Sequence, residues 1–169
     1  MIQSTIRTPF AAIINTTANQ IMRDAIAPPN MDPHHTLRFL FKFTNDMSGE
    51  EIYCYPTPLV YRRYSRFDFE AVCPPVAPIS FEGQLCISLA GYWKYEVYEV
   101  YFEEGPPAKT NQYYPKNENQ VLTPAPQHGI VKGLVAIGKM YAGEISGEEE
   151  VQYKEYNAPV KDNYIYQGK

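Results

Sequence analysis

The stretch Gly91-Tyr92-Trp93-Lys94-Tyr95-Glu96-Val97-Tyr98-Glu99-Val100-Tyr101-Phe102 constrains this chain more than any other. It holds the single tryptophan and is dense in aromatic and β-branched residues, the types that fill a pleated, half-buried surface. The Ala90-Gly91 pair before it supplies a turn or bulge where a strand can begin. The stretch therefore reads as a central strand whose partners the rest of the chain must supply. One face would carry Trp93, Tyr95, Val97 and Tyr101, the other Tyr92, Lys94, Glu96, Tyr98, Val100 and Phe102. Neither is plainly polar, which predicts substantial burial on both.

The partners are short strands set off by turn residues. In Thr36 to Thr44, Leu37, Phe39, Phe41 and Phe43 alternate with Arg38, Leu40, Lys42 and Thr44, the period of two of a sheet with one buried face. Asn45 to Gly49 is a turn cluster, and Glu51 to Tyr55 begins a strand that Pro56 and Pro58 interrupt. Leu59 to Val72 is strand-like again, with Phe67 and Phe69 opposite Arg66, Asp68 and Glu70. After the connector Pro74 to Pro78, Gly83 to Leu89 reads as the hairpin partner of the central strand. Ile130 to Ile145 resumes strand character, its Gly133, Gly138 and Gly143 pointing to bulges or close backbone approach. Val151 to Tyr156 could pair back on it, and Tyr164-Ile165-Tyr166 could form a last short strand or dock on a neighbour. Seven or eight such strands predict an all-β fold, an antiparallel immunoglobulin-like β-sandwich without that family's Cys-Trp-Cys hallmark.

The first residues allow two readings. Thr8-Pro9 could cap a helix through Phe10, Ile13, Ile14, Ile21 and Ala25, whereas Ile13-Ile14-Asn15-Thr16-Thr17 favours extended backbone. The extended reading is preferred: residues 1–35 as an N-terminal arm with a first short strand near Gln20 to Ile26, 36–158 as the sandwich, and 159–169 as a C-terminal tail. Prolines at 28, 29 and 33 make the connection a loop, and Glu103 to Pro126 is a second long loop, too polar to form a core.

Chemistry is sparse. The three cysteines, Cys54, Cys73 and Cys86, lack zinc or CxxC spacing and read as reduced core thiols. His34, His35 and His128 sit in loops without clustered ligands, and no phosphate loop, nucleophile elbow or HExxH motif is present. No enzyme activity, cofactor or metal is expected. Arg62, Arg63 and Arg66 with Arg38 and Lys42 could form a phosphate patch, but strand arginines are more often solvated or paired, here with Asp68 and Glu70. A net charge of -4 argues against nucleic acid as a partner. No apolar run approaches the roughly 20 residues of a membrane helix, and no signal-peptide layout opens the chain, so a soluble product that stays in the cytoplasm where it is made is the expectation.

Leu40-Phe41-Lys42-Phe43-Thr44-Asn45-Asp46, Arg63-Tyr64-Ser65-Arg66-Phe67 and Gly91 to Glu99, continuing through Gly138-Lys139-Met140-Tyr141 and Val151-Gln152-Tyr153, resemble a group of small β-rich structural proteins of tailed phages. The resemblance covers residues 36–156 and implies a virion component with an immunoglobulin-like sandwich and no catalytic motif; the arm and the Glu103 to Pro126 loop depart from it. The expected role is a capsid auxiliary or decoration protein that binds and stabilises the capsid surface, because the chain reads as a Tyr-rich β domain without catalytic groups whose two end segments can bury apolar side chains on neighbouring subunits. Its partners would be the major capsid protein or other virion subunits, in a symmetric multi-copy assembly. A neck or tail ring subunit is the alternative, and a carbohydrate-binding module using Trp93 and Tyr92 is another. Subunit contacts are expected from Ile2, Ile6, Phe10, Ile13, Ile14, Tyr113, Tyr114, Tyr164 and Tyr166, apolar or amphipathic residues in the segments that depart from the sandwich.

Overall fold

A computed structural model describes residues 1–16, 19, 37–56, 58–60, 64–103 and 113–144. Gln20 to Ile26, His34, His35, Arg62, Arg63, Val151 to Tyr156, Tyr164, Ile165 and Tyr166 lie outside the described residues. The fold is all-β. The strands are β1 (Ile2–Thr5), β2 (Phe10–Ile14), β3 (Leu37–Asn45), β4 (Glu51–Cys54), β5 (Pro58–Val60), β6 (Ser65–Ala71), β7 (Gln84–Leu85), β8 (Gly91–Tyr101) and β9 (Ile130–Gly143), with a short 3-10 turn at Ser80–Glu82. One sheet runs β1-β9-β8-β3-β4 and the other β2-β6-β5, with β7 beside β6.

The aromatic stretch is β8, the central strand of the larger sheet. It pairs antiparallel with β3 from Leu37↔Tyr101 to Asn45↔Trp93 and with β9 on its other side. Alternation decides what each face does. Phe39, Phe41, Phe43, Trp93, Tyr95 and Val97 turn toward the smaller sheet, where Ala12, Ile14, Phe67 and Phe69 meet them in one core. The Phe41 ring lies 4.8 Å from Phe67 and 5.1 Å from Phe69, both edge-on, the geometry aromatic quadrupoles favour. The opposite face of the larger sheet is also buried at one end, where Leu40 and Val100 pack under Tyr55, Phe81, Phe102 and Tyr114. At the β3–β4 turn, the Asn45 side chain accepts the N–H groups of Met47 and Ser48, both at 2.9 Å, and Gly49 takes the left-handed conformation.

Four expectations need correction. Residues 1–16 are extended but do not form an arm: β1 adds in parallel to β9, beginning at Ile2↔Met140, and β2 pairs with β6, so both strands contribute to the core between the sheets. A free arm would have left Ile2, Ala12 and Ile14 in water; burying them on Met140 and Phe67 is favoured by roughly 25 cal/mol per Å² of apolar surface. The expected hairpin of Gly83 to Leu89 with the central strand does not form, since β3 and β9 take both edges of β8. Instead Gln84–Leu85 pairs in parallel with Glu70 and Ala71. The strand expected over Leu59 to Val72 divides into β5 and β6, which pair with each other. Finally, Cys73 and Cys86 form a disulfide with Cα atoms 4.9 Å apart, leaving Cys54 as a buried free thiol.

Gly138 shows the close approach expected of the β9 glycines. A Cβ there would lie 2.5 Å from the Tyr95 hydroxyl, so the Tyr95 ring fills the space a side chain would occupy.

Candidate functional site

The densest polar cluster lies on the outer face of the larger sheet. Lys42 of β3 is registered against Tyr53 of β4 and Glu96 of β8. Its ammonium donates to Glu118 at 2.7 Å and sits 2.8 Å from Glu51. The Tyr53 hydroxyl lies 2.8 Å from Glu118 and 3.0 Å from Glu51 and shares its one proton between the two carboxylates. Beside it, Lys94 holds Glu96 at 2.8 Å, and Tyr98 donates to Glu96 at 3.3 Å. Burial pulls the Lys42 pKa down, but the bonds to Glu118 and Glu51 outweigh it and raise it above the usual lysine value. Burial and the bond to Glu118 likewise raise the Tyr53 phenol. Burial pushes the Glu118 carboxyl up, yet the Lys42 and backbone hydrogen bonds prevail and hold it low. Each shift favours the charge state the group already has at neutral pH, and the cluster acts as a clasp between the sheet and the segment that carries Glu118.

What the clasp holds is the segment after residue 112. Next to it, Tyr55 donates to the Pro115 carbonyl, Tyr114 stacks on Phe81 at 4.5 Å, and Tyr113 lies parallel to His128 at 4.9 Å. Part of the loop expected to be too polar for a core therefore supplies one: Tyr114 and Pro115 are buried. Glu118, Glu51 and Tyr53 were not legible as a group. The only signal for them is Lys42 at a polar position of an otherwise apolar strand.

The expected subunit contacts are scattered by this fold. Ile2 and Ile14 are buried inside the domain, Phe10 stacks on Phe69 at 4.6 Å, and Ile6 packs against the same core. Tyr114 is buried and Tyr113 half-buried; of the named residues within the described part, Ile13 alone stands out, 67% exposed. Of the residues named for a phosphate patch, Arg62 and Arg63 lie outside the described residues, and the three described ones do not come together. Arg66 is paired with Asp68 at 2.8 Å on the outer face of the smaller sheet, whereas Lys42 and Arg38 lie on the outer face of the larger one, Arg38 over the Phe81 ring. Trp93 is fully buried, its indole N–H donating to the Leu89 carbonyl at 3.1 Å, so it offers no face to a sugar; Tyr92 remains at the surface.

Among the exposed apolar side chains, Leu134 and Ile137 of β9, 45% and 57% exposed, share the outer face of the larger sheet with their partners Tyr98 and Glu96, whereas Ile130, 49% exposed, is registered with Tyr101 on the other face. β1 covers the outer edge of β9 only from Met140 to Gly143. Beyond that point the Asn19 side chain donates to the Val135 carbonyl at 3.1 Å. Two recesses of about 300 Å³ each border β2, one between it and this edge against Ile14, Leu134 and Ile137, the other between β1 and β2 against Met1, Ala11 and Ile13, with Tyr95 common to both.

Among the described residues no group of three His, Cys, Asp or Glu side chains could hold a metal ion, and no helix is long and apolar enough to cross a membrane. No family model, curated protein or solved structure matches the chain.

Proposed function

We propose that the two packed sheets form an immunoglobulin-like β-sandwich and that the protein is a structural subunit of a tailed-phage virion, an auxiliary protein that decorates and stabilises the capsid. The observation that carries this is the pair of exposed apolar side chains Leu134 and Ile137, on one face of a strand whose edge β1 covers only at one end. Exposed apolar side chains beside a strand edge that β1 leaves unpaired among the described residues suit a protein partner, which adds backbone hydrogen bonds along the edge and buries the side chains beside it. The partner is the major capsid protein, and the contact is weak singly and strong in a symmetric lattice through avidity. The motifs in β3, β6, β8 and β9 that resemble phage structural proteins support the same reading. Binding is here assigned to β9, because Ile2, Ile6, Phe10 and Ile14 are spent on the domain's own core.

The test is mass spectrometry of purified virions with cryo-EM copy number. The expected result is a stoichiometry proportional to the capsid lattice. Absence from the particle refutes the reading, and a few copies in one ring would place the protein at the neck or tail. Ile137→Lys, an exposed substitution expected to change stability by no more than about 0.5 kcal/mol, should abolish decoration of capsids that lack the protein; unchanged decoration would remove β9 from the interface.

A further inference from the structure

Cys73 and Cys86 close a ring that holds the proline-rich segment Pro74 to Pro78, the 3-10 turn and β7. The ends of this ring are joined without the sulfur bond. Glu70 donates its N–H to the Gly83 carbonyl at 3.1 Å and Val72 to Leu85 at 3.0 Å, on either side of the Glu70↔Gln84 and Ala71↔Leu85 pairs. The Gln84 side chain accepts the Ile79 N–H at 2.9 Å and donates to Glu70 at 3.2 Å. Tyr55 N–H reaches the Ser80 carbonyl at 2.7 Å, and Arg7 N–H reaches Ile87 at 3.1 Å. Phe81 and Leu85 are buried in two different clusters, one on each side of the larger sheet. Gly83, in the left-handed region at φ 76°, fits against Pro56 where a Cβ would come within 3.0 Å of the Pro56 Cα. Packing and backbone bonds therefore hold the two ends of the ring beside each other in addition to the sulfur bond.

The thiols also differ in access. Cys54 is fully buried, and burial pushes its pKa far above the usual thiol value, which keeps it protonated and inert. Cys73 and Cys86 are each only half-buried.

We infer that the domain folds with Cys73 and Cys86 as thiols, and that their disulfide is a late lock, closed on the finished fold when the protein passes from a reducing to an oxidising medium. The oxidant is a low-molecular-weight disulfide. A thiolate from one cysteine attacks a sulfur of that disulfide, releases one small thiol and forms a mixed disulfide; the second cysteine displaces the other small thiol. The protein gives up two protons and two electrons, and the small disulfide leaves as two thiols. The lock raises stability by restricting the unfolded chain, while native packing stays as it was. This inference stands apart from the capsid assignment and applies to any role that begins in one redox medium and ends in another.

The test uses the full chain purified under reductant. The reduced protein should unfold cooperatively and keep a near-ultraviolet Trp93 signal like that of the oxidised form. Alkylation of the native reduced protein should label Cys73 and Cys86, with Cys54 labelled only in denaturant. Adding oxidised glutathione should remove both reactive thiols without passage through denaturant and raise the melting temperature by about 6–12 °C, the increment expected for a ring of this length in a chain of this size. Loss of cooperative unfolding in the reduced protein, or in the Cys73→Ala/Cys86→Ala double variant, overturns the inference by making the bridge a condition of folding. So does failure of the folded dithiol to oxidise, or an unchanged melting temperature after it has.

Discussion

Replacing Lys42 with methionine isolates the clasp that fastens the segment around Glu118 to the larger sheet. Methionine keeps most of the side-chain length but removes the charge 2.7 Å from Glu118, 2.8 Å from Glu51 and 5.6 Å from the centre of the Tyr53 ring. Deleting one member of a buried ion pair costs roughly 3–5 kcal/mol, whereas an exposed pair contributes ~0–1 kcal/mol. Lys42 and Glu118 are near the buried limit, with side chains 12% and 14% exposed, while Glu51 stands largely in solvent and adds little. Glu118 retains the Tyr53 hydroxyl at 2.8 Å, which keeps the cost below the fully buried figure. The expected loss is therefore about 2–3 kcal/mol at pH 7.

The pH dependence follows from the direction of the shifts. Glu118 and Glu51 titrate below their ordinary value in the folded state, so the stability they contribute is present above the unfolded value of about 4.3 and is lost as pH falls through the folded value. Lys42 titrates above its ordinary value, so its contribution is intact below about pH 10 and disappears only as pH rises through the higher folded value. The difference between wild type and Lys42→Met should thus be flat from about pH 5 to pH 10 and shrink toward pH 3. Urea denaturation followed by Trp93 emission at pH 7 and pH 3, at one ionic strength, measures it. A loss below about 0.5 kcal/mol at pH 7, or the same loss at both pH values, would show that the clasp does not act as an ion pair.

Two further substitutions probe the packing on either face of the larger sheet. Gly138→Val forces a side chain into the Tyr95 ring and should cost at least about 1–3 kcal/mol, read as a lower urea midpoint; a neutral result would mean the ring is free to move away. Tyr55→Phe removes the donor to the buried Pro115 carbonyl and should cost about 1–2 kcal/mol and increase proteolytic cutting near Pro115, whereas wild-type stability would mean that water replaces the hydroxyl.

Local pattern revealed faces better than partners. The alternation in Leu37 to Thr44 correctly marked Phe39, Phe41 and Phe43 as core, and the two apolar faces of Gly91 to Phe102 correctly implied burial on both sides. The Asn45 to Gly49 turn was legible because Asn supplies its own acceptor and Gly its own conformation. Pairing was not legible. Leu85 and Ile87 alternate into the core as expected, yet their segment joins β6 in parallel, because the edges of β8 go to longer strands from distant parts of the chain. The disulfide was hidden for the same reason. Cys73 and Cys86 have no spacing motif, and only the parallel register of β6 and β7 brings them together.

The N-terminal strands show how one such error propagates into function. Ile2, Ile6, Phe10 and Ile14 resemble an adhesive arm because exposed apolar residues in an extended segment need something to cover them, and the sequence does not say whether the cover is a neighbour or the domain itself. Parallel addition of β1 to β9 and pairing of β2 with β6 make it the domain. That choice has a geometric consequence: β1 ends its pairing at Met140, so the strand that consumes the arm also sets where the covered edge of β9 stops. Residues Ile130 to Ile137 lie beyond that point, and the exposed side chains of Leu134 and Ile137 pose the question the arm no longer does. A substitution such as Ile2→Asp should therefore act first on folding, by placing a charge beside Met140 in the core, and only through misfolding on assembly. Ile137→Lys should do the reverse.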